Sequence, residues 1–164
     1  MLSSLKYKKY KMIQISKEEK LLISHSSKEI KKAIKNLVEE NDFLENYIDL
    51  EDYCGACGIA SLALYSRLRA EKINCEWAYG YHEAQQPEFG ERHCWVEYKN
   101  RIIDVTYKQI SKTSNNIYIS PVRYIKLKQN PKHQVFNKYW KWQNPYRFEY
   151  FWNSDNLEID IKGK

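Results

Sequence analysis

Between Asp52 and Leu62 the chain reads Asp-Tyr-Cys-Gly-Ala-Cys-Gly-Ile-Ala-Ser-Leu, and this run constrains the fold more than any other. From about Cys57 to Ala70 the pattern is helical. Ile59, Ala60, Ala63 and Leu64 face inward, with Ser66, Arg67 and Arg69 outward. Gly58, Ala60, Ser61 and Ala63 are small enough to let such a helix press closely onto a sheet. The chain must therefore supply a sheet for this helix to lie on, and a thiol stands at the helix's first position.

The sheet is legible downstream. Lys72 to Tyr81 reads as a strand, and Arg92 to Tyr98 alternates strictly. His93, Trp95 and Glu97 fall on one face, with Cys94, Val96 and Tyr98 on the other. Lys99-Asn100 is the expected tight turn into the next strand, Arg101 to Thr106. A two-residue turn sets Tyr98 opposite Arg101 and Trp95 opposite Asp104, which leaves His93 diagonal to Asp104 on the same face. A three-residue turn would flip Asp104 away. Ile117 to Ile119 and Val122 to Leu127 are further strands, and Pro121 between them marks an edge or a break.

Before the central run, Ser26-Ser-Lys-Glu29 has the form of a capping box. Ile30, Ala33, Ile34, Leu37 and Val38 follow at helical spacing, so a helix is expected to start there and end near Asn41. Its polar face is Lys-rich early and Glu-rich late, the reverse of what the macrodipole prefers. Phe43 to Leu50 reads as a short acidic helix. The expected architecture is α+β: N-terminal helices, including the one that begins at Cys57, packed on an antiparallel sheet from about residues 73–128.

At 164 residues the chain is expected to be one domain, 1–164, with a core over about 53–128, a basic arm over 1–15 and a basic, aromatic segment over 129–164. The arm is most simply a solvated terminus. It has no apolar stretch behind its charges, and no run approaches the roughly 20 residues of a membrane span. The expectation is a cytoplasmic protein that engages no membrane and keeps its four cysteines as thiols. The net charge of +6 is uneven. Asn36 to Ser66 holds no Lys or Arg, while Lys99 to Phe148 holds a single acid, Asp104. One carboxylate amid so much positive charge, in an apolar strand, points to a task other than solubility. From His133 to Trp152 neither period fits. Its basic and aromatic composition suits a platform for single-stranded nucleic acid, or for an acidic partner. It also suits a segment that seals the core or roofs a cleft, and the general burial of aromatics favours that reading. The loop 82–91 is a second candidate wall.

The cysteines allow three readings. A zinc site from Cys54, Cys57, Cys75 and Cys94 would have the spacing C-x2-C-x17-C-x18-C, without the second close pair that structural zinc sites supply. A redox Cys54-Gly-Ala-Cys57 should follow a buried strand, whereas Ile-Asp-Leu-Glu-Asp precedes it. No metal or other cofactor is therefore expected. The third reading is nucleophilic catalysis. A thiol at a helix start lies against exposed N–H groups and the positive end of the dipole, which lowers its pKa. A histidine can take its proton, and a carboxylate behind the histidine fixes the tautomer and stabilises the imidazolium. Cys57, His93 and Asp104 fit these roles. The acids upstream would oppose them by raising the thiol pKa if they lay nearby. Cys54, Cys75 and Cys94 read as core thiols, and His25, His82 and His133 as surface residues.

Gly55-Ala-Cys-Gly-Ile-Ala-Ser61, the strand ending Gly80-Tyr81, His93-Cys-Trp-Val-Glu97 and Asp104-Val-Thr106 together resemble the core of the transglutaminase-like superfamily, with its papain-like fold. The likeness covers about residues 53–108. It implies Cys57 as nucleophile, His93 as base and Asp104 as orienting acid, in a hydrolase or acyltransferase acting on amide bonds of a peptide or protein. It implies the Cys57 backbone N–H as first oxyanion donor, with Tyr53 and Trp95 as candidates for a second. Small peptide-processing members, such as the leader peptidases of lasso-peptide systems, are the most similar in size. There is no acidic calcium loop, so calcium is not implied. Cys54-Gly-Ala-Cys57 also matches the papain signature. However, Gly58 stands where papain has an aromatic, and His93 follows Cys57 far too soon for papain order. The rival expectation is a non-catalytic binding module working through the basic C-terminal half.

Overall fold

The computed structural model describes residues 13–40, 42–82, 93–110, 117–119, 124–129, 139–143, 148–153 and 158–163. The first helix, α1 (Lys17–Glu40), is more than two turns longer than the sequence suggested. The capping box lies at Ser16: its N–H donates to the Glu19 carboxylate at 2.8 Å, and the Glu19 N–H donates to the Ser16 hydroxyl at 3.1 Å. Ser26 and Ser27 are buried inside the helix, and Ser27 Oγ donates back to the Ile23 carbonyl at 2.8 Å. Two Ser-x-x-Glu boxes compete here, and the upstream one prevails because it adds Ile23 to the buried stripe of Ile30, Ile34, Leu37 and Val38. It also places Glu18 and Glu19 in the first turn, where the macrodipole favours acids.

A 3-10 helix over Asp42–Asn46 leads into a loop closed by its own backbone hydrogen bonds before α2 (Cys57–Ala70). Within the loop the Tyr53 N–H donates to the Asp49 carbonyl at 2.6 Å, and the Asp49 N–H donates to the Cys54 carbonyl at 3.0 Å. Gly55 sits at φ 88, where a Cβ would be driven into the Tyr47 carbonyl oxygen. Only glycine fits. Helix α2 is buried on nearly every side from Gly58 to Ser66, Ser66 included, so it is a central helix rather than an amphipathic one. Helix α1 covers one side, and strands β2 and β1 lie against the other.

The larger sheet holds β1 (Glu76–His82), β2 (His93–Tyr98), β3 (Arg101–Ile103), β4 (Tyr118–Ile119) and β5 (Tyr124–Gln129), in the order β4-β3-β2-β1-β5. Strand β1 starts later than Lys72 because α2 ends in a left-handed cap: Lys72 has φ 61, and the Ile73 N–H donates to the Leu68 carbonyl at 2.9 Å. The β2–β3 turn is the expected two-residue one. Lys99 and Asn100 both have positive φ, 48 and 58, which matches the strand twist, and Tyr98 pairs with Arg101 and Val96 with Ile103. The hairpin is tied to α1 by Glu19, which accepts from Tyr98 Oη at 2.5 Å and from Lys99 Nζ at 2.9 Å.

Contrary to the sequence reading, the C-terminal segment is patterned. Strands β6 (Tyr139–Gln143), β7 (Phe148–Asn153) and β8 (Glu158–Gly163) form a second antiparallel sheet in the order β6-β7-β8, with Trp140 paired to Trp152. Consecutive aromatics blur the period-2 signal there. Strand β8 meets α1 and β7 meets α2. The fold is α+β. The candidate wall at 83–91, the stretch 130–138 and the arm up to residue 12 lie outside the described residues. Among those described, no helix is long and apolar enough to cross a membrane.

Candidate active site

Cys57, His93 and Asp104 come together where the start of α2 meets the start of β2. Cys57 is the first residue of its helix, half-buried. Ala56 caps the helix without a side-chain hydrogen bond, and no acid lies in the first turn, so the dipole's positive end is left for the thiol. His93 is fully buried at the first position of β2, and Asp104 is 1% exposed just past the end of β3. His93 Nε2 lies 2.5 Å from Asp104 Oδ2. The short turn at Lys99-Asn100 therefore delivers the diagonal pairing that the register implied. With Nε2 engaged by Asp104, Nδ1 is the imidazole nitrogen left to serve Cys57, on whose thiol the charge of the ring acts.

Asp104 is fixed from several directions. Its Oδ1 accepts the Thr106 N–H at 2.9 Å and the Thr106 hydroxyl at 3.2 Å, while its backbone N–H donates to the Ile117 carbonyl at 2.9 Å. Tyr124, from β5 at the far edge of the sheet, donates its hydroxyl to Oδ2 at 3.0 Å. Its ring lies 4.7 Å from that of Trp95 and 6.1 Å from that of His93. Tyr124 thus roofs the imidazole–carboxylate pair, and nothing in the sequence singled it out from the other tyrosines.

The electrostatics favour a thiolate and an imidazolium. The Cys57 thiol is held well below its ordinary value, first by a hydrogen bond from Cys94 and then, against the cost of burial, by the hydrogen bond and charge of His93. Burial alone would pull His93 down. The charge and hydrogen bond of Asp104, joined by those of Cys57, outweigh it and push His93 up to about 10. Buried Cys75 is pushed up to about 12, chiefly by burial, which outweighs the nearby Arg69 charge. The upstream acids do not crowd Cys57. Asp49 Oδ1 accepts the Glu51 N–H, and Asp52 Oδ1 accepts the Cys54 N–H, both at 2.8 Å, so these carboxylates build the loop.

Strand alternation separates His93 from Cys94, yet both reach Cys57. Cys94 is pushed up, first by Cys57 and then by burial, while Ser61, one turn along α2 from Cys57, pulls it down. Cys94 is a buried free thiol, as its reading as a core residue expected.

Of the two side chains offered as second oxyanion donors, Trp95 has its donor engaged elsewhere. Trp95 is fully buried, and its indole N–H donates to Glu97 Oε1 at 3.1 Å. Tyr53 shapes the nucleophile loop: it has φ 61, its carbonyl accepts from Gln109 Nε2 at 2.7 Å, and its ring lies under the Lys31 ammonium at 5.4 Å. Gln109, also missed in the sequence, thereby ties the Asp104 side of the site to the Cys57 side. Among the described residues no group of three or more His, Cys, Asp or Glu has the arrangement of a metal site.

This arrangement can activate a sulfur nucleophile and return a proton to a leaving group. The chain matches no protein-family model, no curated protein and no solved structure.

Proposed function

We propose that this protein is a thiol-dependent hydrolase or acyltransferase acting on amide bonds of a peptide or protein, with a transglutaminase-like, papain-like core. The observation that carries the proposal is the buried His93–Asp104 pair beside a thiol at a helix start, with Cys57 shifted down and His93 up. Such opposed shifts in one contact pair are what acid–base and nucleophilic roles require.

The steps follow from the atoms present. Cys57 Sγ, as thiolate, attacks the amide carbonyl carbon, and the oxyanion forms against the backbone N–H groups of the α2 start. Imidazolium His93 gives its Nδ1 proton to the departing amine as the C–N bond breaks, leaving a thioester. Neutral His93 then takes a proton from water or an incoming amine, which attacks the thioester and frees Cys57. Asp104, held by Thr106 and Tyr124, keeps Nε2 protonated throughout and stabilises the charged ring. The thiolate needs a reducing compartment, which suits a cytoplasmic enzyme.

The test is iodoacetamide alkylation of the native protein, followed by peptide mass mapping against pH, beside trapping of an acyl group from a p-nitrophenyl ester. In the wild type, Cys57 is alkylated ahead of Cys54 even below about pH 7, where an ordinary thiol is protonated. It also carries a hydroxylamine-labile acyl group. His93→Ala abolishes the low-pH reactivity. Equal rates for Cys57 and Cys54, or reactivity appearing only above about pH 8.5, the ordinary thiol value, would sink the reading.

A further inference from the structure

Strand β1 offers little side chain where it passes the site. On the face that bears His93, its residues there are Ala78, paired with Trp95, and Gly80, paired with His93. Both are buried. Side chains from β5, which lies beyond β1 at the edge of the sheet, therefore have a path across to β2.

Two side chains take that path. Tyr124 and Lys126 are two apart on β5 and so share a face. Tyr124 lays its ring 4.7 Å from that of Trp95 and donates to Asp104 Oδ2 at 3.0 Å, the oxygen that also meets His93 Nε2. Lys126 Nζ donates to Glu97 Oε2 at 2.6 Å. Glu97 is shared, because its other oxygen, Oε1, accepts the Trp95 indole N–H at 3.1 Å. The four side chains Tyr124, Trp95, Glu97 and Lys126 close a circuit that straddles β1.

The backbone leaves the placing of β5 to this circuit. The register between β1 and β5 shifts between Tyr79 and Gly80, beside the site, so ladder pairing does not by itself set where Tyr124 lies. The Lys126–Glu97 pair is partly exposed, with 34% and 27% of the two side chains open to solvent, and such a pair adds little to stability. What it fixes is position.

We propose that Glu97 is a positioning residue: one oxygen holds the Trp95 indole and the other, through Lys126, seats β5, so that Tyr124 stays closed over the His93–Asp104 pair. This rests on the reading of that pair as the one that moves protons for Cys57. With β5 drawn away, water reaches Asp104 Oδ2 and screens its charge from the imidazole. His93 then holds its proton less tightly, and less of Cys57 is thiolate at neutral pH.

The experiment reads iodoacetamide alkylation of Cys57 against pH in the wild type, Lys126→Met, Lys126→Arg and Glu97→Gln. Lys126→Met keeps the Trp95–Glu97 hydrogen bond and cuts only the tether to β5. It is expected to slow alkylation near pH 6 about threefold, which corresponds to about half a pKa unit. Glu97→Gln, which leaves one oxygen where two donors now have one each, slows it as much or more. Lys126→Arg keeps the wild-type rate. In a Tyr124→Ala background Lys126→Met adds no further loss, because both changes act through one contact. Amide hydrogen exchange over 124–129 reads the tether without any chemistry at Cys57, and it is faster in Lys126→Met and unchanged in Lys126→Arg. A wild-type profile in Lys126→Met, or losses that multiply in the double variant, overturns the proposal. Faster exchange in Lys126→Met beside a wild type whose Cys57 has no low-pH reactivity overturns the hydrolase reading and leaves the tether standing.

Discussion

Asp104 carries more of the site than its position behind His93 suggests. It bears on Cys57 in two opposed ways: its negative charge pushes the thiol up, and the imidazolium that it sustains pulls the thiol down. The pull wins, since the His93 hydrogen bond and charge both exceed the direct effect of Asp104 on Cys57. Asp104→Asn therefore lowers His93 from about 10 and makes the thiolate scarcer at neutral pH. The expected outcome is a fall of about tenfold or more in the rate of Cys57 alkylation near pH 6, a tenfold change corresponding to about one pKa unit. Tyr124→Phe, which leaves the charge in place and removes one donor, gives a smaller loss. Alkylation rates of both variants across pH check this, and an unchanged Asp104→Asn profile counts against the assignment of Asp104. This much of the site was legible because sequence order, strand alternation and turn length jointly place three side chains. Tyr124 was illegible because its contact with Asp104 spans the sheet from β5, a relation that no local period encodes.

At the scale of elements, the nucleophile loop depends on its backbone. Gly55 combines φ 88 with a Tyr47 carbonyl where a side chain would go, and the Asp49–Cys54 hydrogen bond holds both strands of the loop. Gly55→Ala must move the loop or distort α2's first turn. The expected cost is on the order of 3 kcal/mol, measured as a lowered urea midpoint, with slower Cys57 alkylation in the fraction that remains folded. The bounds of α2 were readable because its small residues and thiol stand apart from the acidic run before them. The start of α1 was misread because two capping boxes compete. Local chemistry cannot rank Ser16 above Ser26, whereas burial of Ile23 against the core can. The C-terminal strands escaped for the opposite reason: with aromatics at consecutive positions, each face of a strand looks apolar.

For the whole molecule, the ion pair predicts how stability depends on pH. His93 has its folded pKa raised from 6.5 to about 10, so its contribution is complete below 6.5 and lost as pH rises through about 10. Cys57 is lowered from 9.0, so its contribution is complete above 9.0 and lost as pH falls through its folded value. Between 6.5 and 9.0 the slopes oppose each other, because the folded pair and the unfolded chain each hold one proton. The stability difference between wild type and Cys57→Ala/His93→Ala is expected to be flat in that window and to shrink on both sides of it. At the acid end Glu19, lowered from 4.5 to about 2 by Tyr98 and Lys99, adds a contribution that is complete above 4.5 and lost through about 2 in both proteins. Urea midpoints taken across pH for the two proteins check the shape; a difference that rises steadily through the window contradicts the ion pair.

The turn at Lys99-Asn100 gives the site a dependence on counting. His93 meets Asp104 only because an even number of residues closes the hairpin, and neither turn residue takes part in the chemistry. A descendant of this chain that gained one residue there would keep Cys57, His93, Asp104 and every motif around them, spelled in the same order. It would nonetheless have turned its acid to the opposite side of the sheet. Loss of function by such a route leaves no trace in the alphabet of the site, only in its arithmetic, and an inert relative could pass as intact to any reader of motifs alone.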